Sequence, residues 1–127
     1  MTEEKKDFFV SDISLSYQYT AGNATTRFLN KVAEGKLVAQ KCPKCSAVYV
    51  PPRGSCPRCG IATEEELELP DTGAVESFTI VHIPIPGNPI VPPYVSAMIR
   101  LDGADISFLH LIQEIDLAEI RIGMRVQ

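Results

Sequence analysis

The cleanest alternation of apolar and polar positions runs over Tyr94–Leu101. Val95, Ala97, Ile99 and Leu101 fall on one face, and Tyr94, Ser96, Met98 and Arg100 on the other. That period of two predicts a half-buried β-strand. Val75–Ile83, rich in β-branched and aromatic residues, predicts a second strand. Asp102-Gly103 is a hairpin signal, so a third strand is expected over Ile106–Ile112. Ile115–Ile122 fits a short helix or a turn, and Met124–Gln127 begins one more strand. Upstream the period changes. Phe28, Leu29 and Val32 form a helical stripe within Thr25–Glu34, with Asn23 or Thr25 as candidate cap and Gly35 as the stop. Leu37–Leu69 reads as short ribbon strands, and residues 1–22 as loosely structured.

The expected architecture is mainly β with an N-terminal helix. Residues 1–36 form an arm and helix, 37–69 a ribbon, and 70–127 a set of short strands. Such a set suits a small β-barrel, for which an OB-fold is the common five-stranded choice, with an open sandwich fragment as the alternative. A chain of 127 residues makes one compact domain, or two small modules sharing a core. No run of 18 apolar residues exists, so no transmembrane helix and no membrane partner are expected. The start, MTEEKKDFF, has no apolar signal core, and a cytoplasmic location is expected. All ten prolines lie between Pro43 and Pro93, five of them within Pro84–Pro93. That stretch can be neither helix nor central strand. It reads as a stiff exposed loop, either a plain connector or a binding loop that uses Ile85, Ile90 and Val91.

The strongest chemical signal is Cys42-Pro-Lys-Cys45, ten residues, then Cys56-Pro-Arg-Cys59-Gly60. Each Cys-x-x-Cys turn aims two sulfurs at one point, and two turns supply the tetrahedral thiolate set that Zn²⁺ prefers. Rubredoxin-type iron uses the same knuckles with a longer spacer. A thioredoxin-like redox pair would be single and would open a helix. Four sulfurs leave no open coordination position, so the metal is expected to be structural. Gly60 follows the second knuckle, where positive φ is often needed, and Ser46 stands at the equivalent place after the first. If φ is positive there, serine costs about 1 kcal/mol relative to glycine.

Charge is segregated. Lys36, Lys41, Lys44, Arg53 and Arg58 are the only charges between positions 36 and 58, whereas Glu64–Glu119 carries eleven acids and one base, Arg100. The basic stretch is either solvated surface around a metal site or a face for phosphate or an acidic partner. An acidic body with few aromatics argues against nucleic acid. Nothing assembles into a catalytic set. His82 and His110 alternate with apolar residues and read as half-buried structural histidines. The Glu64-Glu65-Glu66 run reads as solvated, and no Gly-rich phosphate loop is present.

Together the motifs resemble the acyl-CoA-associated zinc-ribbon/OB-fold family, long labelled a domain of unknown function. The resemblance rests on Gly35-Lys-Leu37, Lys41-Cys-Pro-Lys-Cys45, Val50-Pro-Pro-Arg53, Cys56-Pro-Arg-Cys59-Gly60, Gly73–His82, Pro92-Pro-Tyr94 and Ile122–Val126. It implies a rubredoxin-like zinc ribbon followed by an OB-fold, with one structural Zn²⁺ held by Cys42, Cys45, Cys56 and Cys59. It also implies a non-catalytic subunit or domain in a hetero-oligomer with a thiolase-superfamily enzyme: a thiolase, an HMG-CoA synthase-type enzyme, or a lipid-transfer-protein-type aldolase of steroid or aromatic catabolism. In such assemblies the small protein shapes the acyl-CoA channel or steadies the partner. Lys41, Lys44, Arg53 and Arg58 would then meet CoA phosphates or acidic partner residues. Phe78, Pro92, Pro93 and Tyr94 would offer apolar contact to a pantetheine arm or the partner. For Arg53 the plainer alternative is a turn residue, and for Tyr94 barrel-end packing. Tyr17–Gly22 resembles the N-terminal arm of partner-bound members. Relatives continue past the Gly-Met-Arg-Val stretch with a closing strand, whereas this sequence stops at Gln127, so a barrel lacking its last strand is expected. A stand-alone acyl-CoA carrier and a nucleic-acid-binding ribbon are the competing readings.

Overall fold

The structure is a computed structural model that describes residues 7–127. Asp7–Thr20 form no regular element, and their side chains are exposed. The helix α1 spans Gly22–Ala33 and begins three residues earlier than the stripe predicts. Neither Asn23 nor Thr25 caps it: both lie inside, and no side chain bonds its first turn. Gly22, at φ 79°, turns the arm into the helix instead. The expected stop holds. Gly35 takes φ 76°, and Gly35 N–H to Val32 O (2.9 Å) with Lys36 N–H to Lys31 O (2.9 Å) closes the helix in a Schellman arrangement. Only Phe28 of the apolar stripe packs on the core, while Leu29 and Val32 remain exposed.

Two antiparallel sheets follow. In the first, β1 (Leu37–Lys41) lies between β2 (Val48–Tyr49) and β3 (Glu65–Leu69). In the second, the order is β6-β5-β4-β7, with β4 Gly73–Val81, β5 Tyr94–Leu101, β6 Phe108–Ile112 and β7 Arg125–Val126. The bounds of β5 are those predicted, and Val95, Ala97, Ile99 and Leu101 are its buried face. β6 begins two residues later than expected, because the connection after Leu101 is longer than a tight hairpin. Ala104 N–H closes a turn on Leu101 O at 3.0 Å, and Asp105 is engaged by the first sheet. Ile115–Ile122 resolves as turns, one of them held by Ala118 N–H to Asp116 Oδ1 at 2.9 Å.

A bulge between Val75 and Ser77 coils β4. The second sheet therefore curls into an OB-type half-barrel. Among the described residues its outer strands β6 and β7 do not pair with each other. The carboxylate of Asp102 fastens β7 in place. It accepts from Arg125 Nη1 (2.8 Å), from Arg125 Nη2 and from Thr72 Oγ1 (2.7 Å).

The sheets share one core. Ala39, Val48 and Val50 from the cysteine-bearing part pack with Leu69, Val75, Val95, Ala97, Ile99 and Leu101. No helix among the described residues is long and apolar enough to cross a membrane.

Candidate metal centre and basic cleft

The two cysteine knuckles are copies of one hydrogen-bonded turn. In the first, Cys42 N–H donates to Ala47 O and Ser46 N–H to Cys42 O, each at 2.9 Å. In the second, Cys56 N–H donates to Ile61 O at 2.8 Å and Gly60 N–H to Cys56 O at 2.9 Å. The repeat demands the same backbone at the residue after each knuckle. Gly60 has φ 66° and Ser46 has φ 61°, so serine does occupy a left-handed position here.

The turns bring all four sulfurs within 4.8 Å of one another, and Cys45 Sγ lies 3.7 Å from Cys56 Sγ. A tetrahedral Zn²⁺ with bonds of about 2.3 Å requires a sulfur–sulfur separation of about 3.8 Å, so the set fits. Cys42 and Cys56 are buried, Cys59 is half-buried, and Cys45 faces solvent. Electrostatics points the same way. The Cys45 and Lys44 N–H groups, each 3.4 Å from Cys42 Sγ, lower the Cys42 pKa. The Tyr49 hydroxyl, 3.3 Å from Cys56 Sγ, brings Cys56 down to about 6. Burial, and then the neighbouring sulfurs, push Cys59 up to about 12. A cluster that favours some thiolates and resists the last one needs a cation to hold all four charges. The protein is thus a zinc ribbon with one four-cysteine metal site.

Tyr49 and Gln40 complete the centre, and the motif reading did not single out either. Tyr49 is buried, and donating to the thiolate pushes its own pKa up to about 12. Gln40, fully buried in β1, accepts from Gly54 N–H (2.9 Å) and Thr63 Oγ1 (3.1 Å), which ties the central strand to the loop before the second knuckle. The signal for Gln40 was a polar residue breaking the apolar run Leu37-Val-Ala. Replacing Tyr49 by phenylalanine removes the donor that depresses the Cys56 pKa. A thiol whose pKa is lowered in the folded state keeps its ligand form as pH falls towards that value, so losing the donor lets protons compete sooner. Tyr49→Phe should retain zinc at pH 8 and release it on acidification about half a pH unit earlier than wild type. A chromogenic chelator followed through a pH titration reads this directly, and coincident release curves would contradict it.

Beside the centre lies an open cleft of about 400 Å³, lined by Cys45, Tyr49, Arg53, Arg58 and Asp105 among others. The Arg53 guanidinium stands 5.9 Å from the Tyr49 ring centroid, within cation–π range. Arg53 and Arg58 therefore come together. Lys41 and Lys44 do not line the cleft: Lys41 is a half-buried ladder residue opposite Val48 and Glu65, and Lys44 is exposed on the first knuckle.

Phe78, Pro92, Pro93 and Tyr94 belong to the second sheet and its loop. The register places Phe78 opposite Ala97 and Tyr94 opposite Val81, on opposite sides of the sheet, so the two aromatics do not share a surface; Phe78 is exposed and Tyr94 half-buried. Tyr94 Oη accepts from Asn88 Nδ2 at 3.4 Å, which braces the proline-rich loop. In that loop Ile85 and Val91 are exposed, whereas Ile90 is half-buried. His82 and His110 are both exposed, contrary to the half-buried role expected of them. His82 lies one residue beyond β4, and His110 is on the outermost strand β6.

Comparison with known proteins agrees with this architecture. Residues 30–65 match the family model "ChsH2, rubredoxin-like zinc ribbon domain", and residues 66–127 match "ChsH2, C-terminal OB-fold domain". The chain belongs to this ChsH2-type family, the former DUF35 proteins. It is 36% identical over 93 residues to a DUF35 domain-containing scaffold protein of Methanocaldococcus jannaschii, covering 72% of this chain and 64% of that protein. It is 34% identical over 91 residues to a probable enoyl-CoA hydratase alpha subunit of Thermomonospora curvata, covering 72% of this chain and 28% of that one. The chain thus spans less than two-thirds of either relative. A crystal structure of a DUF35 protein from Sulfolobus solfataricus superposes with a TM-score of 0.66 at 28% identity, over 80% of this chain and 74% of that one. A chain of the Ltp2-ChsH2(DUF35) aldolase superposes with a TM-score of 0.69 at 29% identity, over 84% of each.

Proposed function

We propose that this chain is a non-catalytic accessory subunit or domain that binds a thiolase-superfamily enzyme and helps form or stabilise its acyl-CoA site. The observation that carries this reading is the match, over 84% of both chains, to a chain of the Ltp2-ChsH2(DUF35) aldolase. The names of the two relatives, a scaffold protein and a hydratase subunit, support a part in an assembly. The metal supports it too. Four cysteines saturate a tetrahedral zinc, so the ion braces the fold and has no position left for a substrate.

In this reading Arg53 and Arg58 meet the phosphates of CoA or acidic residues of the enzyme, since a planar guanidinium suits bidentate oxyanion contact. Lys41 and Lys44 widen that positive field. Phe78, Pro92, Pro93 and Tyr94 supply apolar contact. The assembly is a hetero-oligomer of the cytoplasm, and nucleic acid is not a partner. Eleven acids against one base over residues 64–119 would repel a phosphate backbone from the half-barrel.

Co-expression with the thiolase-superfamily enzyme of the same genome tests the proposal. A stable hetero-oligomer is expected, and in it the double substitution Arg53→Glu/Arg58→Glu should raise the acyl-CoA KM about tenfold. An enzyme that is fully soluble and active without this chain would refute the accessory role. Micromolar acyl-CoA binding by the isolated chain would favour a carrier instead.

A further inference from the structure

The arm preceding α1 carries a run of exposed apolar side chains. Over Asp12–Thr20 it alternates strictly: Ile13, Leu15, Tyr17 and Tyr19 are separated by Ser14, Ser16 and Gln18. This is the period of a strand with one apolar face. Residues 7–21 contain no proline and no glycine, and they include four aromatic and three β-branched residues, a strand-forming composition. The Tyr17 and Tyr19 ring centroids lie 6.3 Å apart, which puts residues i and i+2 on the same side as an extended backbone requires. Yet among the described residues the arm's backbone makes no hydrogen bond to the folded body, and none of it is assigned to a strand. Phe8, Phe9, Ile13, Leu15, Tyr17 and Tyr19 are between 69% and 102% exposed.

Resting on the accessory reading above, we infer that Ile13–Tyr19 docks on the enzyme partner as an added β-strand. Its backbone pairs with an unpaired strand edge, and Ile13, Leu15, Tyr17 and Tyr19 enter an apolar trough beside that edge. Area supports a protein partner. Tyr17 and Tyr19 bury on the order of 150–250 Å² each, and Ile13 and Leu15, with the exposed Phe8 and Phe9 just upstream, extend the apolar surface towards the ~800 Å² per side of a stable interface. Charge argues against a second copy of this chain as the receiver. The open groove between β6 and β7 is lined by four carboxylates, Asp71, Glu114, Asp116 and Glu119, against one cation, Arg125, which is already paired with Asp102. The arm brings Asp7 and Asp12 and, over residues 7–21, no cation. The expected receiver is therefore an edge strand with a neutral or basic rim.

The test uses two double variants of the full chain that add the same charge to opposite faces of the arm. In Leu15→Asp/Tyr17→Asp the charge falls on the apolar face, and in Ser14→Asp/Ser16→Asp on the polar one. No side chain of the body packs on these positions, so both variants should keep full zinc content. Against the co-expressed thiolase-superfamily enzyme, the first should weaken binding at least about tenfold, and the second should stay within about threefold of wild type. In the complex, amides of residues 13–19 should become protected from hydrogen exchange. Equal effects of the two variants would overturn the strand mode. Wild-type affinity in the first would overturn docking by the arm while leaving the accessory reading intact. A change in the oligomeric mass of the isolated chain would assign the arm to a second copy and overturn the inference. If the wild-type chain does not bind the enzyme at all, the accessory reading itself falls, and arm docking falls with it.

Discussion

Replacing Cys42 by serine should abolish zinc binding and unfold the ribbon. Cys42 is fully buried at the meeting point of both knuckles, and two backbone N–H groups are already aimed at its sulfur. A serine hydroxyl at this place stays protonated and is a poor fourth ligand for a soft-leaning site. Zinc binding to such a set is worth on the order of 10 kcal/mol, comparable with the whole stability of a domain this size. The damage should spread. Ala39, Val48 and Val50 are part of the common core, so a ribbon that opens also uncovers the half-barrel. Metal analysis should give close to one zinc per wild-type chain and close to none for the variant. The variant should also lose its cooperative melting transition, and excess chelator should reproduce that loss in wild type. A variant that retained stoichiometric zinc and the wild-type transition would refute this account of the centre.

Gly73→Val should be the most damaging single change outside the metal site. Gly73 opens β4, opposite Leu101 of β5 and Val126 of β7, at the point where three strands meet. A Cβ placed there would stand 2.5 Å from the carbonyl oxygen of Arg100 and 3.1 Å from Ile99 Cγ2. The first contact is with backbone, which cannot swing aside as a side chain can. The neighbouring ladder holds it in place, because Asp102 N–H bonds to Thr72 O at 2.9 Å and the Arg125–Asp102 pair clamps β7 alongside. Relief would require β5 to separate from β4, and the cost should be about 3 kcal/mol or more, at the upper end for overpacking. Urea unfolding of the zinc-loaded protein should show a lower midpoint with unchanged zinc content, which separates this effect from that of Cys42→Ser. A midpoint equal to wild type would mean that the strand junction yields more easily than its hydrogen bonding indicates.

Much of this molecule was legible in its sequence wherever one local rule had one outcome. β5 was readable to the residue because a buried face and a solvent face alternate along it without interruption. The knuckles were readable because Cys-x-x-Cys geometry is local, and the positive φ at Ser46 followed from its equivalence to Gly60. The α1 start was misplaced because Asn23 and Thr25 look like caps, whereas Gly22 makes the turn and no side-chain cap is used. The histidines were misjudged because alternation says which residues share a face but not whether that face is covered at the sheet margin. At the site, Tyr49, Gln40 and Asp105 depend on contacts between residues 7 to 57 positions apart, and no spacing rule announces those. The separation of Phe78 from Tyr94 was likewise hidden in the β4–β5 register, which the bulge at Val75–Ser77 resets.

Asp105 links the two sheets. Its carboxylate accepts from Val48 N–H at 2.7 Å, and its own N–H donates to Val48 O at 3.0 Å. A residue from the turn after β5 thus behaves as one more rung on the edge of the cysteine-bearing sheet. The two halves each match a recognised family model, as though they were interchangeable cassettes, but they are cross-stitched through this pair and through the common core. A foreign ribbon with identical cysteine spacing would still offer Asp105 a backbone rung at position 48, but its own side chains in place of Ala39, Val48 and Val50 would not fit against Val95 and Ala97 in the common core. What joins the halves specifically is thus the fit of side chains in the shared core, and an exchanged ribbon should fold stably only when its core residues are exchanged with it.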